Sequence, residues 1–200
     1  MTPQRLRRLD SFSTTLRDCS LSGPEAAVCA GAEHVGTVAI RGGKRLISGN
    51  AIPNHDVDYY PNEGNPNRIS AQSVSYEVTT SPTLTSRATE TPVPGVAING
   101  IKYEPQTAEV YSNTEWRYEA LTFGGRVTGD TNRQPAGDSL GIDCNFAHVQ
   151  PSGAYHYHGV PTAIMPTEPA ITLVGWAADG FPMLGRFGYA TPGDPSSDIV

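Results

Sequence analysis

Leu140-Gly141-Ile142-Asp143-Cys144-Asn145-Phe146-Ala147-His148-Val149-Gln150-Pro151-Ser152-Gly153-Ala154-Tyr155-His156-Tyr157-His158-Gly159-Val160 is the stretch on which the reading of this chain turns. At its centre, Pro151-Ser152-Gly153 has the chemistry of a three-residue hairpin loop. Proline holds φ at about −65° in the first position, and glycine accepts the left-handed conformation in the third. Gln150 precedes the proline and is pushed towards extended geometry, which suits the end of a strand. Such a loop pairs Gln150 with Ala154 and His148 with His156. Side chains alternate across a strand, so His156 and His158 share one face while Tyr155 and Tyr157 share the other. Three imidazoles then lie on one face, with His148 and His156 roughly 5 Å apart and His158 roughly 7 Å further along. All three can reach one ion at the ~2.1 Å of a metal–imidazole bond. Loop length decides this. A two-residue Ser152-Gly153 loop would set His148 opposite Tyr157 and turn it away from the pair.

Outward from this hairpin the chain reads as short strands. Residues 169–176 form an apolar, β-prone run with the character of a buried central strand, and Asp179-Gly180 marks a turn after it. Trp176 and Phe181 read as core. On the other side, residues 114–123, with Trp116, Tyr118 and Phe123, together with Lys102-Tyr103 and Val96-Ala97-Ile98 are strand candidates. Gly124-Gly125 closes the first of these. Val74, Tyr76 and Val78 alternate cleanly along another strand, and a Thr/Pro/Ser-rich connection follows over residues 80–94. Gly42-Gly43, between Thr37-Val38-Ala39-Ile40 and Arg45-Leu46-Ile47-Ser48, resembles a hairpin turn. Gly42-Gly43-Lys44 lacks the earlier glycine and the following helix of a phosphate loop. Residues 49–67 hold three prolines and five asparagines, and a loop of that length is usually functional or disordered. The fold class is mainly β: a compact antiparallel sandwich- or barrel-like domain with long Asn/Pro/Gly-rich loops. Residues 1–36 read as a leader or accessory segment with at most a weak helix over residues 24–32, residues 37–190 as the domain, and residues 191–200 as a tail.

Composition narrows the function. Lys+Arg number 14 against Asp+Glu 20, a formal charge of −6, which argues against the basic surface that nucleic acid requires. No apolar run approaches the ~20 residues of a membrane-spanning helix. Gly 21 and Pro 17 make up about a fifth of the chain against a usual ~12%, which disfavours long helices. Cys19, Cys29 and Cys144 form no Cys-x-x-Cys pair. Two arrangements remain open: a Cys19–Cys29 bridge that leaves Cys144 alone, or three unpaired thiols. No secretory signal follows Arg5, Arg7 and Arg8. No His-Glu-x-x-His motif is present.

The candidate site is the set His148, His156 and His158, with His55 of the asparagine-rich loop as a fourth ligand or a supporting group. Imidazole-rich sites suit zinc or copper, and composition does not separate the two. An open coordination position would acidify a bound water and support metal-assisted hydrolysis. Asp179 and Asp143 are the candidate carboxylates for orienting an imidazole or acting as general base. Strand parity opposes Asp143 to His148 unless a bulge intervenes. Asp179 equally suits the turn alone. The competing readings are a hydrogen-bonded Tyr/His network without metal, and a non-catalytic recognition module for carbohydrate or protein. His34 is assigned to no site.

Tyr155-His156-Tyr157-His158 spells the signature of the YHYH domain family, and the likeness extends further. Residues 50–72, the Val96-Ala97-Ile98-Asn99-Gly100 turn, Gly141-Ile142-Asp143 with Ala147-His148-Val149, and Gly175-Trp176-Ala177-Ala178-Asp179-Gly180-Phe181-Pro182 resemble the family's motifs in order, over about residues 40–190. The resemblance implies an extracellular or periplasmic bacterial protein with a small-molecule or cell-surface ligand. It leaves the chemistry open. Family members usually continue past the Gly-Trp-Ala-x-Asp-Gly segment with another acidic, glycine-containing motif, so a fragment or shortened member is expected here.

Overall fold

Gly42 and Gly43 adopt φ of 56° and 75°, the two left-handed residues that a tight hairpin turn demands. They join strand β1 (Gly36–Arg41) to β2 (Lys44–Gly49), with Arg41 opposite Lys44. β3 (Val74–Thr79) adds to β2 with Tyr76 opposite Ile47, completing a three-stranded antiparallel sheet. The expected alternation holds: Ile47 and Val78 are buried, whereas Ser75 and Glu77 are exposed. The computed structural model describes residues 32–62, 64–110, 114–115, 117–120 and 140–200. Cys19, Cys29, Trp116, Phe123, Gly124, Gly125 and all of the 24–32 helix except Ala32 lie outside them.

The remaining strands are β4 (Gly95–Ala97), β5 (Lys102–Tyr103), β6 (Gln106–Val110), β7 (Arg117–Glu119), β8 (Ala147–Val149), β9 (Tyr155–Tyr157), β10 (Leu173–Ala177) and β11 (Pro182–Leu184). β6 and β7 pair with each other, and the rest form one sheet in the order β11-β10-β4-β5-β9-β8. The fold is mainly β, with a single 3-10 turn over Thr162–Ile164 among the described residues. One pair departs from the antiparallel expectation: β5 and β9 run parallel, Tyr103 beside Tyr157. Parallel neighbours need a long connection, and the chain between them, which carries β6, β7 and β8, supplies it. The 169–176 run also starts pairing late. Its partners β4 and β11 have three residues each, so β10 begins only at Leu173, and within the run Val174 and Gly175 are the buried members.

The two faces of the large sheet are covered differently. On one, the Arg45 guanidinium of β2 lies 4.6 Å from the centre of the Trp176 ring of β10, a cation–π contact that sets the small sheet against the large one. On the other face, Tyr103, Tyr155, Tyr157, Ala97, Ala147 and Val149 pack with Ile52, Val57 and Ile69 of the long loop. That loop is ordered cover rather than idle chain. β8 is the outer strand of its sheet, and exposed strand edges offer unpaired carbonyls. Tyr60 donates its hydroxyl to Ala147 O (3.0 Å), and the amides of Asn65 and Asn67 donate to Val149 O (2.9 and 2.8 Å). The asparagines of the loop thus include donors for a strand edge.

The loop also grips the hairpin turn, through Ser70 N–H to Gly153 O (2.9 Å) and Gln72 Nε2 to Ser152 O (3.2 Å). Gly153 has φ of 84°, and a Cβ there would collide with Ser70 Oγ and approach Arg68 O to 3.1 Å. Gly153→Ala should therefore lower stability by ~1–3 kcal/mol, seen as a lower denaturant midpoint with unchanged slope. An unaltered midpoint would show that this turn does not depend on glycine.

Candidate metal centre

The hairpin register is the one the three-residue loop demands: Ala147 faces Tyr157, His148 faces His156 and Val149 faces Tyr155. Gln150 N–H donates to Ala154 O at 3.0 Å and Gly153 N–H to Gln150 O at 2.8 Å, closing the turn. β9 ends at Tyr157, but His158 N–H still donates to Phe146 O at 2.7 Å, which keeps His158 beside the hairpin. The three imidazole centroids form a nearly equilateral triangle, with separations of 4.7, 4.6 and 4.6 Å. One potential ligand atom from each lies within 4.8 Å of the others. His158 stands closer than the roughly 7 Å of a straight strand, because the strand has already ended and the ring leans inward.

The proton positions follow from the backbone. His148 Nδ1 lies 2.7 Å from Leu140 O and His156 Nδ1 3.4 Å from Ala154 O. A carbonyl accepts only from N–H, so Nδ1 is the protonated nitrogen and Nε2 carries the lone pair, the state that a second partner imposes on metal-ligating histidines. His158 differs. It is 5% exposed, and neither ring nitrogen closes a hydrogen bond of good geometry, although the Pro105 and Glu104 backbone lies near enough to favour its protonated form. An unsatisfied buried polar group costs about 1–3 kcal/mol.

Burial keeps these rings neutral. It pushes His156 well below the ordinary imidazole value, aided by the nearby His158, His148 and Lys102. His158 is pushed down to about 3, first by burial and then by repulsion from His148, while the backbone of Pro105 and Glu104 pulls weakly the other way. Neutral imidazole is the form that ligates a metal.

The other candidates are placed elsewhere. His55 lies on the tyrosine face: its Nε2 accepts from Tyr157 OH at 2.6 Å, and its Nδ1 is 2.8 Å from Asp56 O. Burial lowers its pKa. Asp143 is fully buried, and its carboxylate accepts from Tyr155 OH (2.7 Å), Asn145 N–H (2.9 Å) and Ala147 N–H (3.3 Å). It thus faces away from the imidazoles, as strand parity required, and fixes the turn that starts β8. Asp179 is exposed in the β10–β11 turn, where Gly180 takes φ of 94°. His34 Nδ1 meets Ile52 O at 2.7 Å. Cys144 is disulfide-bonded, a correction to both sequence readings, which left it free. Cysteine spacing alone could not reveal it, since pairing depends on Cα distance and not on separation along the chain.

Three neighbours were missed in the sequence: Lys102, Glu104 and Gln150 line the same face as the imidazoles. Lys102 showed only as a strand residue because its position beside His156 depends on the parallel β5–β9 pairing. Leu140 was also missed, since it acts through its carbonyl.

The YHYH protein family matches residues 75–200 of the chain. The chain belongs to the YHYH family. The match includes the signature hairpin and nearly all of β3, and the resembling loop at residues 50–72 falls before it. No curated protein and no solved structure matches the chain. Among the described residues of this YHYH protein, no helix is long and apolar enough to cross a membrane.

Acid should destabilise the metal-free protein in a defined window. The His158 pKa of about 3 lies below the ordinary 6.5, and His156 shifts the same way, so the unfolded chain binds more protons once pH falls below about 6.5. Asp143 opposes them: raised by burial from 3.8 to about 6, it takes up a proton in the folded state first. Three histidines, since burial lowers His55 as well, outweigh the one aspartate, so stability falls as pH drops from 6 to 4. Denaturant midpoints measured across this range check it, and His158→Gln should flatten the slope.

Proposed function

We propose that this YHYH domain binds one transition-metal ion, zinc or copper, through His148, His156 and His158. The observation that carries this reading is His158: a buried imidazole with both nitrogens unsatisfied, facing two other imidazoles whose Nδ1 atoms are tied to carbonyls. The residues fit the metal because its coordination would supply the missing partner. Three neutral nitrogen donors suit both ions. Three protein ligands leave a position for an exchangeable water or ligand, the arrangement of catalytic rather than structural zinc sites, and metal-assisted hydrolysis is the chemistry it supports.

In this reading His55 supports the hairpin through Tyr157 rather than ligating the ion, and Asp143 and Asp179 shape turns rather than move protons. An extracellular or periplasmic setting agrees with the disulfide at Cys144, since disulfides persist in oxidising compartments. The metal-free recognition module finds less support, because the loop asparagines it would use are engaged with β8.

Metal content of the mildly purified, zinc- or copper-supplemented protein should be about one ion per chain by mass spectrometry. His156→Ala and His158→Ala should each lose it. Metal at about 100 times its Kd should stabilise the wild type by ~2.7 kcal/mol and leave both variants unmoved. A folded, supplemented wild type without stoichiometric metal overturns the proposal, and an unchanged ratio in the variants removes these ligands.

A further inference from the structure

The face that holds the imidazoles continues into a second polar group. Tyr103 of β5 lies beside Tyr157 of β9 in parallel register, and Glu104 N–H donates to Tyr157 O at 2.8 Å. Alternation then sets Lys102 and Glu104 on the face opposite the tyrosines, next to His156 and His158 across a strand spacing of about 4.8 Å. Gln150, two residues beyond His148, projects to that face as well. The three form a closed triangle. Lys102 Nζ lies 2.6 Å from Glu104 Oε2 and 3.1 Å from Gln150 Oε1, and Gln150 Nε2 lies 2.8 Å from Glu104 Oε2. It spans from β5 to β8 across β9, beside His156.

The triangle meets solvent at the rim of the site: the Lys102 and Glu104 side chains are 20% and 22% exposed. An ammonium carries three donors, and among the described residues Glu104 and Gln150 engage two, which leaves one for a ligand. Glu104 balances the charge of Lys102 and nothing more. Three neutral imidazoles would leave a divalent ion with its whole charge.

We propose that Lys102 is a ligand-binding residue of this centre, anchoring an oxyanion, a carboxylate or phosphate group, that takes the remaining position on the metal held by the triad. Glu104 and Gln150 are positioning residues that hold the ammonium at the rim. A neutral ligand gains only a hydrogen bond from Lys102, whereas an oxyanion also gains its charge. The inference rests on the metal-binding reading and assigns its ligand class.

The test uses the full chain loaded with cobalt(II), whose visible spectrum reports the coordination sphere, titrated separately with acetate, inorganic phosphate and neutral acetamide. Cobalt content is measured first. A wild type that takes up no cobalt, zinc or copper overturns the metal reading, and this one with it. With about one ion bound in wild type and Lys102→Met alike, the spectra report on Lys102 alone. Acetate or phosphate should then bind the wild type and bind Lys102→Met at least about tenfold more weakly, with acetamide weak in both. Glu104→Gln keeps the cation and should bind the anions at least as tightly as wild type. The two anions separate by which one binds the wild type more tightly. Equal anion affinity in Lys102→Met, or equal losses in Lys102→Met and Glu104→Gln, overturns the inference. Should Lys102→Met not fold, Lys102→Gln and Glu104→Gln carry the comparison.

Discussion

The pairing of His148 with His156 is the constraint on which the site depends. It is fixed by the turn hydrogen bonds at Gln150, Ala154 and Gly153, because a strand has a side-chain period of two and a one-residue slip would exchange its faces. Such a slip would bury imidazoles among Ile52, Val57 and Ile69 and expose Tyr155 and Tyr157. The apolar face therefore guards the register of the polar one. Two fully buried tyrosines hold the hairpin down, and the rings opposite them converge.

The cost of this arrangement is concentrated in one residue. His148 and His156 each have a carbonyl for one nitrogen, whereas His158 has none within hydrogen-bonding geometry. Among the other described residues most buried polar groups are met, Arg45 Nη1 against the Trp176 ring being an exception. Asp143 receives a hydroxyl and two amides, and Tyr157 OH is shared between His55 and Asn99. A chain that satisfies those groups and leaves both nitrogens of one buried imidazole unmet marks a place where stability yields to function. Such local violations are expected at functional sites.

Much of the fold was legible because its signals are local. The glycine pair at 42–43, the alternation of Val74, Tyr76 and Val78, the Pro-Ser-Gly loop and the Asp179-Gly180 turn each depend on a few neighbouring residues. The start of β10 was misplaced at residue 169, since the length of its partners and not its own apolar character sets where pairing begins. Residues 49–67 showed their polarity but not what that polarity serves. Asn65 and Asn67 bond a strand edge 84 and 82 positions away, and no local pattern records such a distance. His55 looked like a ligand by residue type alone, yet it hydrogen-bonds Tyr157 on the far side of the sheet.

By itself, the sequence determined the β character, the hairpin and the common face of three histidines, because turn chemistry and alternation act over a few residues. Tertiary structure alone decided the rest. It set Lys102 beside His156 through a parallel pairing, took His55 to the tyrosine face, and brought Leu140 O to His148. Each of these joins segments that share no local periodicity, so only the closed packing of the whole domain could settle them.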